Sequence, residues 1–184
     1  MNENDILAIS IENVINLINN SILLIREFDK ELKKLGYSPY DENNLGNMTS
    51  NFIHQNPSDE VTIFPKYISR TYTENYRKKS KKIIQISIQF YHEKQHNLAP
   101  QIISSVIVIP LSHSSKYESY WIADIAFKFN NYDDLLKNGE INRFKDSSNF
   151  LNIFWFNDLI KFNNPTDVKN ECLKIQKEFE NASI

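Results

Sequence analysis

The chain reads as an α+β protein: a four-stranded antiparallel meander with a long N-terminal helix and C-terminal helices packed on it. Three observations carry that expectation. Apolar residues recur at helical spacing over residues 4–36. Between residues 61 and 129 they alternate, or form short runs rich in β-branched and aromatic side chains. The breaks between those runs are roughly 8 to 10 residues, too short for helical crossovers, so successive strands should pair antiparallel.

The first helix has a marked start and stop. Asn4 or Asp5 can cap it, and Lys33, Lys34, Gly36 and Pro39 make an orderly end. Leu7, Ile11, Val14, Ile18, Ile25, Phe28, Leu32 and Leu35 occupy a/d heptad positions, interrupted only by Ser21. Ile15 and Ile22, with Leu17 and Leu24 nearby, widen that seam. About 32 residues at 1.5 Å each span roughly 48 Å, against a diameter of roughly 40 Å for a compact domain of this size. The helix should therefore break near Asn19-Asn20-Ser21, overhang modestly, or protrude and meet a partner.

Residues 38–60 are polar and rich in turn residues, as in a long connection. Strands are expected at Val61–Thr73, with Pro65 marking an edge or bulge, at Lys82–Tyr91, at Ile102–Ile109 and at Tyr117–Phe129. Ile102–Ile109 is apolar on both faces, as a central strand is. A sheet with one wet face must hide the other, and the long helix is its natural cover. Residues 131–181 are expected to be helical. A short helix fits Tyr132–Lys137, and helical spacing of Leu151, Phe154, Trp155 and Leu159 favours helix over strand for Phe150–Phe162. In the last helix Asn164 caps, Pro165 takes the first turn and Asp167 suits the positive end. Val168, Cys172, Ile175 and Phe179 form its apolar stripe.

Composition narrows the function classes. With 184 residues, 41% hydrophobic and 24% charged, the chain fits one globular domain, 1–184, able to bury a core without staples. A net charge of -2 gives no global bias toward nucleic acid or anionic membrane. One cysteine, Cys172, forms no internal disulfide and no zinc framework. The start lacks a basic signal-peptide region, and the apolar run Ile22–Ile25 is far shorter than a membrane span. A cytoplasmic setting without membrane is expected. The 24 Asn, the 25 Ile and a Lys excess of 17 over 4 Arg resemble a low-GC bacterial coding bias. Only Gly36, Gly46 and Gly139 occur, unclustered, so phosphate-cradling glycine loops are absent and no cofactor is expected.

Four local patterns bear on function. His92-Glu93-Lys94-Gln95-His96 matches HExxH, whose histidines bind zinc only when one helical turn apart. Here it follows an alternating strand, Lys94 would sit beside the ion, and Asn97-Leu98-Ala99-Pro100 ends any helix at once. Glu118 and His113 are the remaining ligand candidates, and a hairpin loop is the plainer expectation. Residues 66–82 set Lys66, Arg70, Arg77, Lys78, Lys79, Lys81 and Lys82 against Glu74 alone, with Tyr72 and Tyr76 interleaved. That mixture suits phosphate contacts and base stacking, or simply a charged hairpin tip protecting an edge strand. Phe154-Trp155-Phe156, Tyr117, Tyr120 and Trp121 could line a pocket or hot spot, but core is the commoner role. Asp124 with Lys128 lacks the acid-x-lysine element of nucleases, and Ser112, Ser114 and Ser115 around His113 read as a polar turn.

The expected function is accordingly a non-enzymatic protein-binding or assembly module, possible as a bacterial accessory or immunity-type protein, with a protein partner or a second copy. Ile11, Ile18 and Ile25 on the helix and Tyr120 on the sheet are the interface candidates. A nucleic-acid-binding protein using residues 66–82, or a small metal-dependent hydrolase using His92 and His96, are the alternatives.

Overall fold

The computed structural model describes residues 3–40, 45–47, 67–74, 82–90, 99–110, 138–145 and 150–183. Helix α1 runs unbroken over Glu3–Lys34, 32 residues, straight through Asn19-Asn20-Ser21. Ser21 tolerates that position because its Oγ donates to the Leu17 carbonyl at 2.7 Å, leaving no orphaned hydroxyl where the helix enters the core. The C-terminus closes as the Lys-Lys-x-Gly pattern predicts. Gly36 takes φ 91°, the Tyr37 amide donates to Leu32 O at 3.0 Å and the Gly36 amide to Lys33 O at 3.1 Å. This double bond pattern is a Schellman motif, and its apolar clasp is Leu32 with Tyr37, both buried.

Strands β1 (Ser38–Pro39), β2 (Gly46–Asn47), β3 (Tyr67–Thr73), β4 (Lys82–Gln89), β5 (Gln101–Val108), β6 (Asn142–Lys145) and β7 (Leu151–Asp158) form one sheet. Its order is β1-β3-β4-β5-β7-β6, with β2 also on β3, and every pairing is antiparallel. The β3-β4-β5 meander is as the short connections predict. β1 pairs at Tyr72–Thr73 and β2 at Ile68–Ser69, so two short pieces cover the outer edge of β3. A 3-10 turn at Leu159–Lys161 leads to helix α2, Pro165–Asn181. The Asn164 side chain accepts from the Thr166 and Asp167 amides at 2.9 and 3.2 Å, the cap expected from its Asn-Pro start.

The structure corrects several expectations. Phe150–Phe162 is not a helix, and residues 131–181 are not helical throughout: β6 and β7 lie there, and β7 is the neighbour of β5. Leu151, Ile153 and Trp155 face the helices while Phe150, Phe154 and Phe156 pack on the opposite face. A strand apolar on both faces shows no two-residue alternation, so hydrophobicity could not separate it from a buried helix; its aromatic and β-branched content was the truer signal. The sheet thus has seven strands among the described residues rather than four. The expected strand Tyr117–Phe129 and helix Tyr132–Lys137 lie outside the described residues, as do residues 61–66 of the first expected strand.

The sheet also has no wet face over its central strands. β3 is buried at every position, and β4 and β5 at all but their first residue. On one face Ile68, Tyr72, Ile84, Ile86, Ile102, Val106, Ile153 and Trp155 meet Ile25, Phe28 and Leu32 of α1 and Val168, Cys172, Ile175 and Phe179 of α2. On the other, Ile83, Ile103, Ile107, Phe154 and Phe156 cluster beside a buried polar strip that includes Ser69, Thr71, Gln85 and Ser87.

Polar clamps complement the apolar packing of α2. The buried Glu171 carboxylate accepts from Ser104 Oγ at 2.6 Å, Trp155 Nε1 at 2.5 Å and Asn157 Nδ2 at 3.2 Å, tying the helix to β5 and β7. One turn on, Lys174 sits 4.6 Å from the centre of the Trp155 ring and donates to Gly139 O at 3.1 Å. Glu178 pairs with Arg143 of β6.

These contacts have measurable weights. At Gly36 an added Cβ meets nothing within 4 Å, so Gly36→Ala should cost only its backbone strain, about 1 kcal/mol by urea denaturation. Glu171→Ala strips the partner from three donors and is expected to cost about 3 kcal/mol. A loss under about 1 kcal/mol would show that water replaces the carboxylate without penalty.

Candidate functional site

The seam of α1 behaves differently at its two ends. Leu7 is 61% exposed, Ile11 53% and Val14 41%, and Ile18 is half-buried, whereas Ser21, Ile25, Phe28 and Leu32 are all at or below 2%. These residues form one continuous a/d stripe, so the same helix face is solvent before Ser21 and core after it. Ile6, Ile9 and Ile15 add further exposed apolar surface, with Ile9 on the opposite side of the helix. Ile9 apart, the other five large hydrophobics before residue 16 leave about 500 Å² of apolar surface uncovered, near the upper limit for a monomer that uses its surface for nothing. By composition and length the segment Asn4–Lys34 also contains an 18-residue window apolar enough to cross a membrane, with mean hydropathy 1.4.

Charge distinguishes the two halves as well. Residues 3–25 contain Glu3, Asp5 and Glu12 and no lysine or arginine; cations begin at Arg26. Beyond it Lys30 pairs with Glu27 at 3.2 Å and Lys34 with Glu31 at 2.5 Å. Where the seam meets the body, Ile22, Ile25, Arg26, Asp29, Leu45 and Arg70 line an open cavity of about 350 Å³. Its floor is fixed by the Arg70 Nε, which donates to Asp29 Oδ1 at 2.6 Å.

The interface candidates therefore divide. Ile11 is exposed and Ile18 half-exposed on the uncovered seam, but Ile25 is a core residue and is corrected as an interface candidate. Tyr120 lies outside the described residues. Leu7 and Val14 were on the predicted seam and belong with Ile11, a distinction that only the position of the sheet supplies.

The basic segment is split by the fold. Arg70 is 8% exposed and Tyr72 fully buried beneath α1. Burial, and then the nearby Asp29 carboxylate, push the Tyr72 hydroxyl well above the ordinary tyrosine range. Lys82 donates to Phe179 O at 2.7 Å and lies 5.2 Å from the Phe179 ring centre, neutralising the carbonyl end of α2. These three are structural in the described fold, which leaves them unavailable for phosphates or bases. Lys66, Tyr76, Arg77, Lys78, Lys79 and Lys81 lie outside the described residues.

His92 and His96 also lie outside them, in the connection between β4 and β5, whose ends pair at Gln89 and Gln101. Among the described residues no group of three His, Cys, Asp or Glu could hold a metal ion. Phe154, Trp155 and Phe156 are core. No protein-family model matches this chain, and neither do any curated protein or any solved structure.

Cys172 is buried, as its place on the α2 stripe predicts, and burial, then the charges of Glu171 and Glu31, push its thiol up to about 12. It should not react with a disulfide reagent at pH 8 until the protein unfolds. Because the folded thiol titrates above its ordinary value of 9.0, the unfolded chain loses the proton first, and stability should fall as pH rises beyond 9. A Cys172→Ala variant showing the same alkaline loss would assign that loss to other groups.

Proposed function

We propose that this protein is a non-enzymatic assembly module that self-associates through the uncovered amino-terminal half of α1. The observation that carries this reading is the exposure step within one heptad stripe: Leu7, Ile11 and Val14 are patterned like the core residues Ile25, Phe28 and Leu32, yet stand 41 to 61% exposed. A second copy supplies an identical apolar stripe, and a helix-to-helix seam is what a/d spacing accommodates. The area, about 500 Å² per chain against the roughly 800 Å² of a standard interface partner, suits an association on the order of micromolar.

A bilayer is the competing occupant, and side-chain chemistry disfavours it. A segment spanning residues 6–25 would take Glu12 into hydrocarbon together with Asn13, Asn16, Asn19 and Asn20, and a carboxylate within a spanning segment is costly. A surface-lying helix draws on Lys and Arg for anionic headgroups, and this half has none before Arg26. A cytoplasmic location agrees with both points. For the nucleic-acid alternative, Arg70, Tyr72 and Lys82 are already engaged within the fold.

Light scattering across micromolar concentrations should show a reversible dimer. Ile11→Asp and Val14→Asp should each give a monomer whose melting temperature stays within about 2 °C, since surface substitutions change stability by about 0.5 kcal/mol or less. Ile25→Asp, which buries a charge, should instead unfold the protein. A wild-type monomer at every concentration would sink the proposal, and co-sedimentation with phosphatidylcholine–phosphatidylglycerol vesicles would replace it with the membrane reading.

A further inference from the structure

We infer that the two copies pair antiparallel, in a register that sets Leu7 against Ile18 and Ile11 against Val14 of the second copy. This rests on the self-association proposed above and adds its geometry. The decisive feature is where the body lies. From Ser21 onward the seam face of α1 is occupied by the sheet and α2, with Ile25, Phe28 and Leu32 buried there. A partner helix laid parallel on the uncovered seam would carry its own residues 21–34, and the body attached to them, along that same face. The two bodies would then claim one volume.

Reversing the partner removes the collision. Each helix runs from the other's body outward, and the two bodies stand at opposite ends of a shared four-layer seam. A two-fold axis requires that if residue i meets residue j, then j meets i. Antiparallel knobs match a with d positions, and only Leu7, Ile11, Val14 and Ile18 are uncovered or half-covered on the seam. The register that uses all four and no core residue pairs Leu7 with Ile18 and Ile11 with Val14. The start of each helix then reaches the level of residues 20–22 of the other. There it abuts the cavity lined by Ile22, Ile25, Arg26, Asp29, Leu45 and Arg70.

Single cysteines at the two outermost layers test the geometry, because buried Cys172 does not compete. In the antiparallel register, Leu7 of one copy is about 16 Å along the axis from Leu7 of the other, beyond the roughly 7 Å Cα separation that a disulfide tolerates. Under mild oxidation with diamide, L7C alone and I18C alone should therefore stay uncrosslinked. Their equimolar mixture should form disulfide dimers at least tenfold faster than either variant alone. Rapid crosslinking of L7C alone would establish a parallel pair and overturn the inference while self-association stood. A dimer in light scattering with no crosslink in any of the three samples would overturn the register. Absence of a dimer altogether would be the failure of the self-association reading itself.

Discussion

Among the described residues, only the carboxyl half of α1 has a sheet beneath it. A helix of 32 residues spans roughly 48 Å, and the strands it crosses cannot underlie all of that length. Everything that gives this protein a candidate surface follows from the mismatch. After Ser21 the stripe finds Ile68, Tyr72, Ile84 and Ile86 and disappears into the core. Before it, the same stripe is largely exposed, with Leu7, Ile11 and Val14 at 41 to 61%. Apolar area is stabilising once removed from water, by about 25 cal/mol per Å², and it is on this exposed half that the proposed self-association rests.

The body that anchors the helix is held by unlike devices on its two sides. The helix-facing side of the sheet is largely aliphatic and aromatic, and α1 ends on it through a Schellman turn that returns Tyr37 to the core against Phe179, ring centres 5.0 Å apart. Helix α2 adds direction to this otherwise nonspecific packing. Glu171 and Lys174 fall on one edge of the helix and address β5, β7 and the turn at Gly139. A buried carboxylate accepting from three donors is costly to misplace, so sliding α2 by even one residue would break all three bonds. Lys82 reaches the other end of the helix and secures its last turn.

Legibility in the sequence varied with the kind of signal. Both long helices, the closing turn of α1, the Asn164 cap of α2 and the β3-β4-β5 meander were written in local chemistry: Gly36 beyond two lysines, Asn164 before Pro165, alternation through Ile84, Ile86 and Ile88. Asn4 and Asp5, the expected caps of α1, instead lie inside it, since the helix already runs from Glu3. Strand β7 was misread because burial on both faces erases alternation, and Leu151, Phe154, Trp155 and Leu159 then match helical spacing by coincidence. The polar residues that became structural gave no local warning. Arg70 and Tyr72 sit in a cationic, aromatic stretch that resembles a nucleic-acid surface, and only the passage of α1 over β3 turns them inward.

The sequence by itself determined an α+β chain with a heptad-patterned first helix closed at Gly36, because periodicity and a C-terminal turn depend on neighbours within a few residues. Tertiary structure alone decided which part of that helix is core and which is surface. Ile11 and Ile25 hold equivalent seam positions in equally apolar surroundings, and their fates differ, 53% against 2% exposed. No local property separates them. The difference lies in whether β3 and β4, more than forty residues away in the chain, happen to pass underneath.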